Sequence, residues 1–278
     1  MEPRRVKATA LETAEELQRL AKSPEEHSGP MPTLGNLPPV QGSEPIPFRP
    51  VVRPPQAVLC ILDDDQKEGE LVRMRGSRLL IGRSEGDVVI PHDDAISGQH
   101  AEILRSLENG QYKWHLRDLG STNGTFVRCQ TARLKQNQEL LIGCQRYQFR
   151  LPATASLPAA PAADEKSTRG WQAVSREAVS ALAPLLVHLD GPHDGRSFPL
   201  TSNEHWIGRD PRQTSVTLDQ DSMVSPRHAR IFKAEKDEWK IEDARSANGI
   251  WIRVEKALAG KKFEFQLGEQ RFVLKLPS

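Results

Sequence analysis

Three cysteines in 278 residues, odd in number and without C-x-x-C spacing, exclude a disulfide framework and a cysteine-rich zinc site. Cys60, Cys129 and Cys144 stand among apolar residues, so each is expected to be a reduced, buried thiol. Long hydrophobic runs are missing too: nothing approaches the ~20 apolar residues of a membrane span. Arg4, Arg5 and Lys7 lead into an Ala/Glu/Leu stretch rather than an apolar segment with a cleavage site. A secretory leader is therefore not expected, and the chain reads as cytoplasmic. Excess charge of one sign is also absent, the formal net charge being +1. That removes the general electrostatic case for nucleic acid and leaves room only for a local basic pocket.

Catalytic signatures are missing as well. There is no G-x-x-x-x-G-K-[ST], G-x-S-x-G, H-E-x-x-H or kinase catalytic loop, so neither an enzyme nor a cofactor is expected. His92, Asp93 and Asp94 come nearest to a ligand cluster. Their spacing fits no metal pattern, and a solvated loop is the expectation.

What the chain does have is punctuation. Residues 6–22 carry a narrow apolar stripe (Leu11, Leu17, Leu20), with Thr9 and Glu12 spaced as a capping box, which predicts a short helix ended by Ser23-Pro24. Nine prolines between Pro30 and Pro55 remove too many N–H donors for a packed element. An Ala/Pro segment from Pro152 to Lys166 reads as a spacer, with a possible short helix over Trp171–Ala183. Four regions result: a helical and Pro-rich tail over 1–54, a β-rich domain over 55–152, a linker over 153–182 and a second β-rich domain over 183–277. Within the two domains, runs such as Arg78–Ile81, Val88–Ile90 and Arg271–Leu274 alternate with the turn signals Asn109-Gly110, Asn123-Gly124, Asp194-Gly195 and Asn248-Gly249. The fold class is all-β, two sandwiches of about a hundred residues each.

The two domains repeat each other. Ile81-Gly82-Arg83 recurs as Ile207-Gly208-Arg209, 126 positions on. Ser97-x-x-His100-Ala101-x-Ile103 recurs as Ser225-x-x-His228-Ala229-x-Ile231, 128 positions on. Trp114, Asp118, Ser121, Asn123 and Gly124 recur as Trp239, Asp243, Ser246, Asn248 and Gly249, 125 positions on. Ordered motifs at nearly constant offset mark a duplication with small changes in loop length.

The most faithfully repeated residues are polar and lie beside turns, which core packing would not require. Gly-Arg, Ser-x-x-His and the run D-L-G-S-T-N-G-T-F at Asp118–Phe126, matched by D-A-R-S-A-N-G-I-W at Asp243–Trp251, resemble the forkhead-associated (FHA) family. The resemblance covers nearly all of both β segments and implies two-sheet sandwiches whose loops at one end bind phosphothreonine peptides. The implied partners are phosphothreonine proteins, among them a Ser/Thr kinase or its substrates. Neither nucleic acid nor membrane is implied.

The chemistry of the residues suits those roles. A phosphothreonine carries about −1.5 to −2 charge and three acceptor oxygens. Arg83 and Arg209 supply planar forks, Ser97 and Ser225 hydroxyls, and Asn123 and Asn248 an amide able to hold an extended main chain. Gly98 and Thr122 complete the expected first site. The second has Ala247 where the first has Thr122, and Pro226 after Ser225 removes an N–H. Between Ser97 and His100 stand Gly98 and Gln99, where many members of the family place Arg or Asn; in the second copy Arg227 could partly compensate, but a solvated surface arginine is the expectation. The resemblance assigns His100 and His228 a bracing role, while Gly82, Gly124, Gly208 and Gly249 serve the backbone. Trp114 and Trp239 are expected core anchors. Thr13, in an acidic setting, is a possible phosphosite whose product could fold back on Arg83. The rival reading is an assembly protein that uses the sandwiches without phosphate. Replacement of Arg83 separates the two.

Overall fold

Period-two burial organises the chain wherever its placement can be described, namely residues 54–62, 68–152 and 182–277 of this computed structural model. The expected helix over 6–22, Thr13, nearly all of the Pro-rich tail and the linker up to residue 181 lie outside these residues. The described residues belong to one compact unit, Arg53–Ser278. They form twenty β-strands and two 3₁₀ turns, Gly191–His193 and Glu235–Asp237.

In the first half these are β1 (Val58–Leu62), β2 (Gly69–Arg73), β3 (Arg78–Gly82), β4 (Val88–Val89), β5 (Ala101–Glu108), β6 (Gln111–Asp118), β7 (Thr125–Cys129), β8 (Thr131–Arg133), β9 (Gln138–Ile142) and β10 (Gln145–Arg150). The second half repeats them as β11 (Leu185–His188), β12 (Ser197–Pro199), β13 (Glu204–Gly208), β14 (Val216–Thr217), β15 (Ala229–Lys233), β16 (Trp239–Asp243), β17 (Ile250–Val254), β18 (Lys256–Leu258), β19 (Lys262–Leu267) and β20 (Gln270–Lys275). Asn109 and Gly110, both at positive φ (50° and 76°), close the β5–β6 hairpin, as an Asn-Gly pair does without strain.

The halves do not close on themselves. One five-stranded sheet runs β4-β3-β5-β6-β18 and another runs β14-β13-β15-β16-β8, so each takes its last strand from the opposite half. A ten-stranded sheet, β12-β11-β10-β9-β17-β7-β19-β20-β1-β2, backs both. Two lobes result. In the first, Leu59, Ile81, Ile103 and Leu116 pack with Phe263, Phe265, Phe272 and Leu274. In the second, Leu140, Ile142, Tyr147 and Phe149 pack with Leu186, Ile207, Ile231 and Ile241. Trp114 and Trp239 are buried in the first and second cores respectively.

The expectation of two sequence-contiguous sandwiches, 55–152 and 183–277, therefore needs correction. Strands 131–150 and 256–275 have changed places. The physical reason lies at the seam, where β7 and β17 pair antiparallel with Val127 opposite Ile252. These two residues occupy equivalent positions of the repeat, so the seam relates the halves by an approximate two-fold. After β7 the chain crosses through Gln130, which is tied to Asp243 of β16 by a backbone bond (Asp243 N–H to Gln130 O, 2.9 Å) and by its side-chain amide, which donates to Asp243 O at 2.9 Å. After β17 it crosses through Glu255, whose carbonyl accepts the Asp118 N–H at 2.9 Å. Phe126, Leu141 and Trp251 form a third, smaller cluster.

Two buried or half-buried aspartates grip the exchanged hairpins. Asp93 accepts the N–H groups of Glu269 (2.7 Å) and Gln270 (3.2 Å), holding the β19–β20 turn. Asp221 accepts the Cys144 N–H at 2.8 Å, holding the β9–β10 turn. The stretch around His92 was expected to be a solvated loop. Asp93 departs from that, being buried, because its carboxylate caps a turn supplied by the other half. The cysteines divide: Cys60 is buried, Cys129 intermediate and Cys144 exposed, the last because the β9–β10 turn carries it to the surface.

Candidate functional site

At the end of the first lobe, three loops meet. Gly82 ends β3 so close to the next loop that a Cβ there would stand 2.1 Å from the Gly98 carbonyl oxygen and 2.4 Å from that of Glu85. Only glycine permits this approach, and it puts Arg83 at the rim, its N–H bonded to Ser97 O at 2.9 Å. The Gly98 carbonyl in turn accepts the N–H groups of Ser84 (3.4 Å) and Glu85 (3.1 Å). Ser97 and the Asn-Gly loop are joined by the Thr122 N–H, which donates to the Ser97 hydroxyl at 3.1 Å. The hydroxyl keeps its own proton to donate. The Asn123 amide donates to Ala95 O at 2.9 Å and so clamps the third loop.

His100 underlies this junction. Its Nδ1 accepts the Ser97 N–H at 3.1 Å and its Nε2 faces Gly124 O at 3.2 Å, which requires the neutral ring with the proton on Nε2. Burial pushes its pKa below the ordinary imidazole value, in keeping with that form. Gly124 has φ +86°, a left-handed conformation. Below the loop, Asp118 accepts from the Ser121 hydroxyl (2.6 Å), the Thr125 hydroxyl (2.7 Å) and the N–H groups of Gly120 and Ser121. Burial alone would raise its pKa, but these donors outweigh burial and hold it below the usual carboxylate range. The Asp-x-x-Ser of the repeat is thus a turn-building unit, set beneath the rim.

The second lobe repeats the scaffold almost bond for bond. Arg209 N–H bonds Ser225 O (3.0 Å), Ala247 N–H bonds the Ser225 hydroxyl (3.1 Å) and the Asn248 amide bonds Met223 O (2.8 Å). His228 joins Ser225 N–H (3.0 Å) to Gly249 O (3.0 Å), and its pKa is likewise lowered by burial. Gly208 is pressed against the Pro226 carbonyl, 2.3 Å from a would-be Cβ. The rims differ. The first offers the hydroxyls of Ser97 and Thr122 and the Gly98 N–H, which has no protein partner among the described residues. In the second, Pro226 and Ala247 remove two of these donors.

The arginines differ in the opposite sense. Arg83 donates to Asp94 at 2.9 Å in an exposed pair, Asp94 being 96% exposed. In the second half Ser222 stands at the position of Asp94, and among the described residues the Arg209 guanidinium makes no hydrogen bond or ion pair. Nothing local in the sequence marks Asp94 as a partner of Arg83. The support that each rim takes from the other half is equally hidden. Arg253 lies over Gly124, where a Cβ would meet its Nε at 2.4 Å, and pairs with Glu139 at 2.8 Å. Arg128 lies over Gly249 in the same way and pairs with Glu264 at 2.6 Å. Arg146, held by Asp190, donates to Asn123 O at 3.3 Å. The repeated Arg128/Arg253 pair was the available signal, but nothing local says that each acts on the opposite rim.

Comparisons with known proteins divide along the same line. Residues 79–143 match the FHA domain family. Residues 188–275 match a family described as the cytoplasmic domain of the inner membrane component of T3SS. No curated protein matches the chain. Among solved structures, full-length yeast Pml1p is 29% identical over 26% of this chain, with a TM-score of 0.24; the match spans 57% of its own length. The FHA domain of CT664 from Chlamydia trachomatis is 26% identical over 34% of this chain and 97% of that one, with a TM-score of 0.22. Mycobacterium tuberculosis EmbR, solved with a low-affinity phosphopeptide, is 23% identical over 34% of this chain and 24% of that one, with a TM-score of 0.23. Among the described residues no helix is long and apolar enough to cross a membrane, and no group of His, Cys, Asp or Glu could hold a metal ion.

Proposed function

We propose that the chain is a non-enzymatic, cytoplasmic adaptor that binds phosphothreonine peptides in Ser/Thr kinase signalling, with the first lobe as the main reader. The observation that carries this reading is the junction of Arg83, Ser97, Gly98, Thr122 and Asn123 on a hydrogen-bonded rim within the stretch that matches the FHA domain. Arg83 supplies the fork for the phosphate, displacing Asp94. Ser97, Thr122 and the Gly98 N–H donate to the remaining oxygens, and Asn123 holds the peptide main chain. Arg209, Ser225 and Asn248 form the lesser site. Phosphorylated Thr13 would compete as an internal ligand at high effective concentration.

The test is the affinity of the full chain for a degenerate phosphothreonine peptide pool against its unphosphorylated counterpart. Arg83→Ala removes a charge-assisted contact of about 1.5–3 kcal/mol, so binding is expected to weaken by about tenfold to over a hundredfold, whereas Arg209→Ala leaves it nearly intact. A second reading, assembly through sandwich surfaces without phosphate, is favoured by the different family matched by 188–275 and by the losses at Ala247 and Pro226. Equal binding of both pools by every variant would select it.

A further inference from the structure

The outer face of the second lobe holds a cleft of about 430 Å³ lined by Gln130, Trp206, Arg227, Arg230, Glu242 and Arg245, with the Asp243–Ala244 turn. Trp206 on β13 stands opposite Arg230 on β15, and Arg230 opposite Glu242 on β16, so the three share one face of the sheet. The Arg227 guanidinium carbon sits 3.3 Å from the Trp206 ring centroid, stacked on the indole. Stacking fixes the plane of the fork and leaves its N–H edges free to donate.

The acids of the cleft already have partners. Glu242 pairs with Arg230 at 2.7 Å, and Asp243 accepts the Ser246 hydroxyl and N–H. Among the described residues neither Arg227 nor Arg245 has a carboxylate partner, which leaves two uncompensated forks at one cleft. Arg245 moreover stands at φ +61°, where the first half has Gly120 at φ +79°. A bulky residue is uncommon in this left-handed region, and here it carries a guanidinium to the cleft wall. The first half has no such feature: Leu80, Gln99 and Gly120 occupy the positions of Trp206, Arg227 and Arg245, and Gln99 is bonded to Glu85.

We propose that this cleft is an additional anion site, built for a phosphate monoester carried on a peptide segment and separate from the loop rim at Arg209. Two forks suit a dianion with three acceptor oxygens, and the Gln130 amide, one N–H of which is bonded to Asp243 O at 2.9 Å, has a second N–H to donate. A nucleic-acid strand fits less well. It needs a continuous basic track and open stacking faces, whereas Arg227 already covers the indole and Glu242 and Asp243 border the cleft. The site does not depend on Arg83 being a reader.

The test uses the full chain carrying Arg83→Ala and Arg209→Ala, which silences both rim arginines and separates this site from the rim reading. Calorimetric titration would compare an alanine-rich peptide with one phosphoserine, its unphosphorylated form and a short oligo-dT strand. Binding of the phosphopeptide alone is expected, weakened about tenfold or more by Arg227→Ala and by Arg245→Gly. Arg245→Gly installs the residue that the first half uses at the same backbone conformation, so loss of binding in that variant cannot be put down to misfolding. Absence of phosphopeptide binding at millimolar concentration, binding indifferent to both substitutions, or preference for the oligonucleotide would each overturn the assignment.

Discussion

The two rims share a scaffold and differ in what they present. Both press a glycine against a loop carbonyl, both seat a neutral histidine under the Ser-x-x-His turn, and both join the serine hydroxyl to the N–H before the asparagine. Yet the first has the richer set of donors around an arginine that Asp94 already occupies, and the second has an arginine without a partner among the described residues and fewer donors around it. Likeness in the buried layer and divergence at the surface are what duplication produces when the scaffold is held by packing and only the rim is free to change. The second lobe has moved its exposed arginines toward the sheet face, at Arg227 and Arg245.

The strongest way to break the comparison is to separate the halves. Because each lobe is completed by three strands from the other half, residues 54–152 or 182–277 expressed alone leave an open core. Neither is expected to give a monomer with cooperative unfolding, as size-exclusion chromatography and thermal denaturation would record. A stable folded monomer would mean that strands 131–150 can close their own half. Next in size is Gly82→Ala, which sets a Cβ against two backbone carbonyls and should cost about 3 kcal/mol in a chemical denaturation series. Gly208→Ala should do the same in the second lobe, and unequal costs would reveal that one rim yields more readily.

A smaller effect concerns pH. His100 and His228 have folded pKa values below the unfolded value of about 6.5, both because burial disfavours the charged ring. The unfolded chain then binds protons more readily than the native one, so their stabilisation is complete above about pH 6.5 and declines as pH falls below it. Urea midpoints measured from pH 7.5 to 5 should fall. His100→Asn with His228→Asn should lower the midpoint throughout and flatten the slope. Smallest is Asp94→Asn, which frees Arg83 from an exposed pair worth ~0.2–1 kcal/mol. Phosphopeptide affinity in the first lobe should rise by about 1.4- to fivefold in a fluorescence polarisation assay, bringing Arg83 nearer to the state of Arg209.

Much of this was legible along the chain because it is local. Asn109-Gly110 closes a hairpin, and the runs at Arg78–Ile81 and Arg271–Leu274 fall within strands, since turn chemistry and β-branched alternation act over a few residues. The residues of each rim could be named because the motif recurs. Asp94 as the partner of Arg83 was not legible: they stand eleven positions apart, and the loop between decides whether they meet. Nor was the burial of Asp93, whose partners Glu269 and Gln270 lie at the far end of the chain.

What the sequence determined by itself is the inventory: two β-rich stretches in which the same motifs recur in a fixed order, each with a polar rim. Tertiary structure alone decided the assignment of strands to lobes. The two halves carry strands of the same length, period and apolar face, as in Leu140, Ile142, Tyr147 and Phe149 against Phe265, Leu267, Phe272 and Leu274. Local pattern specifies that each must be a strand but not which sheet it completes. That choice rests on the pairing of β7 with β17, on the crossings at Gln130 and Glu255, and on the aspartates that catch the exchanged turns, all contacts between residues more than a hundred positions apart or across the seam of the two halves.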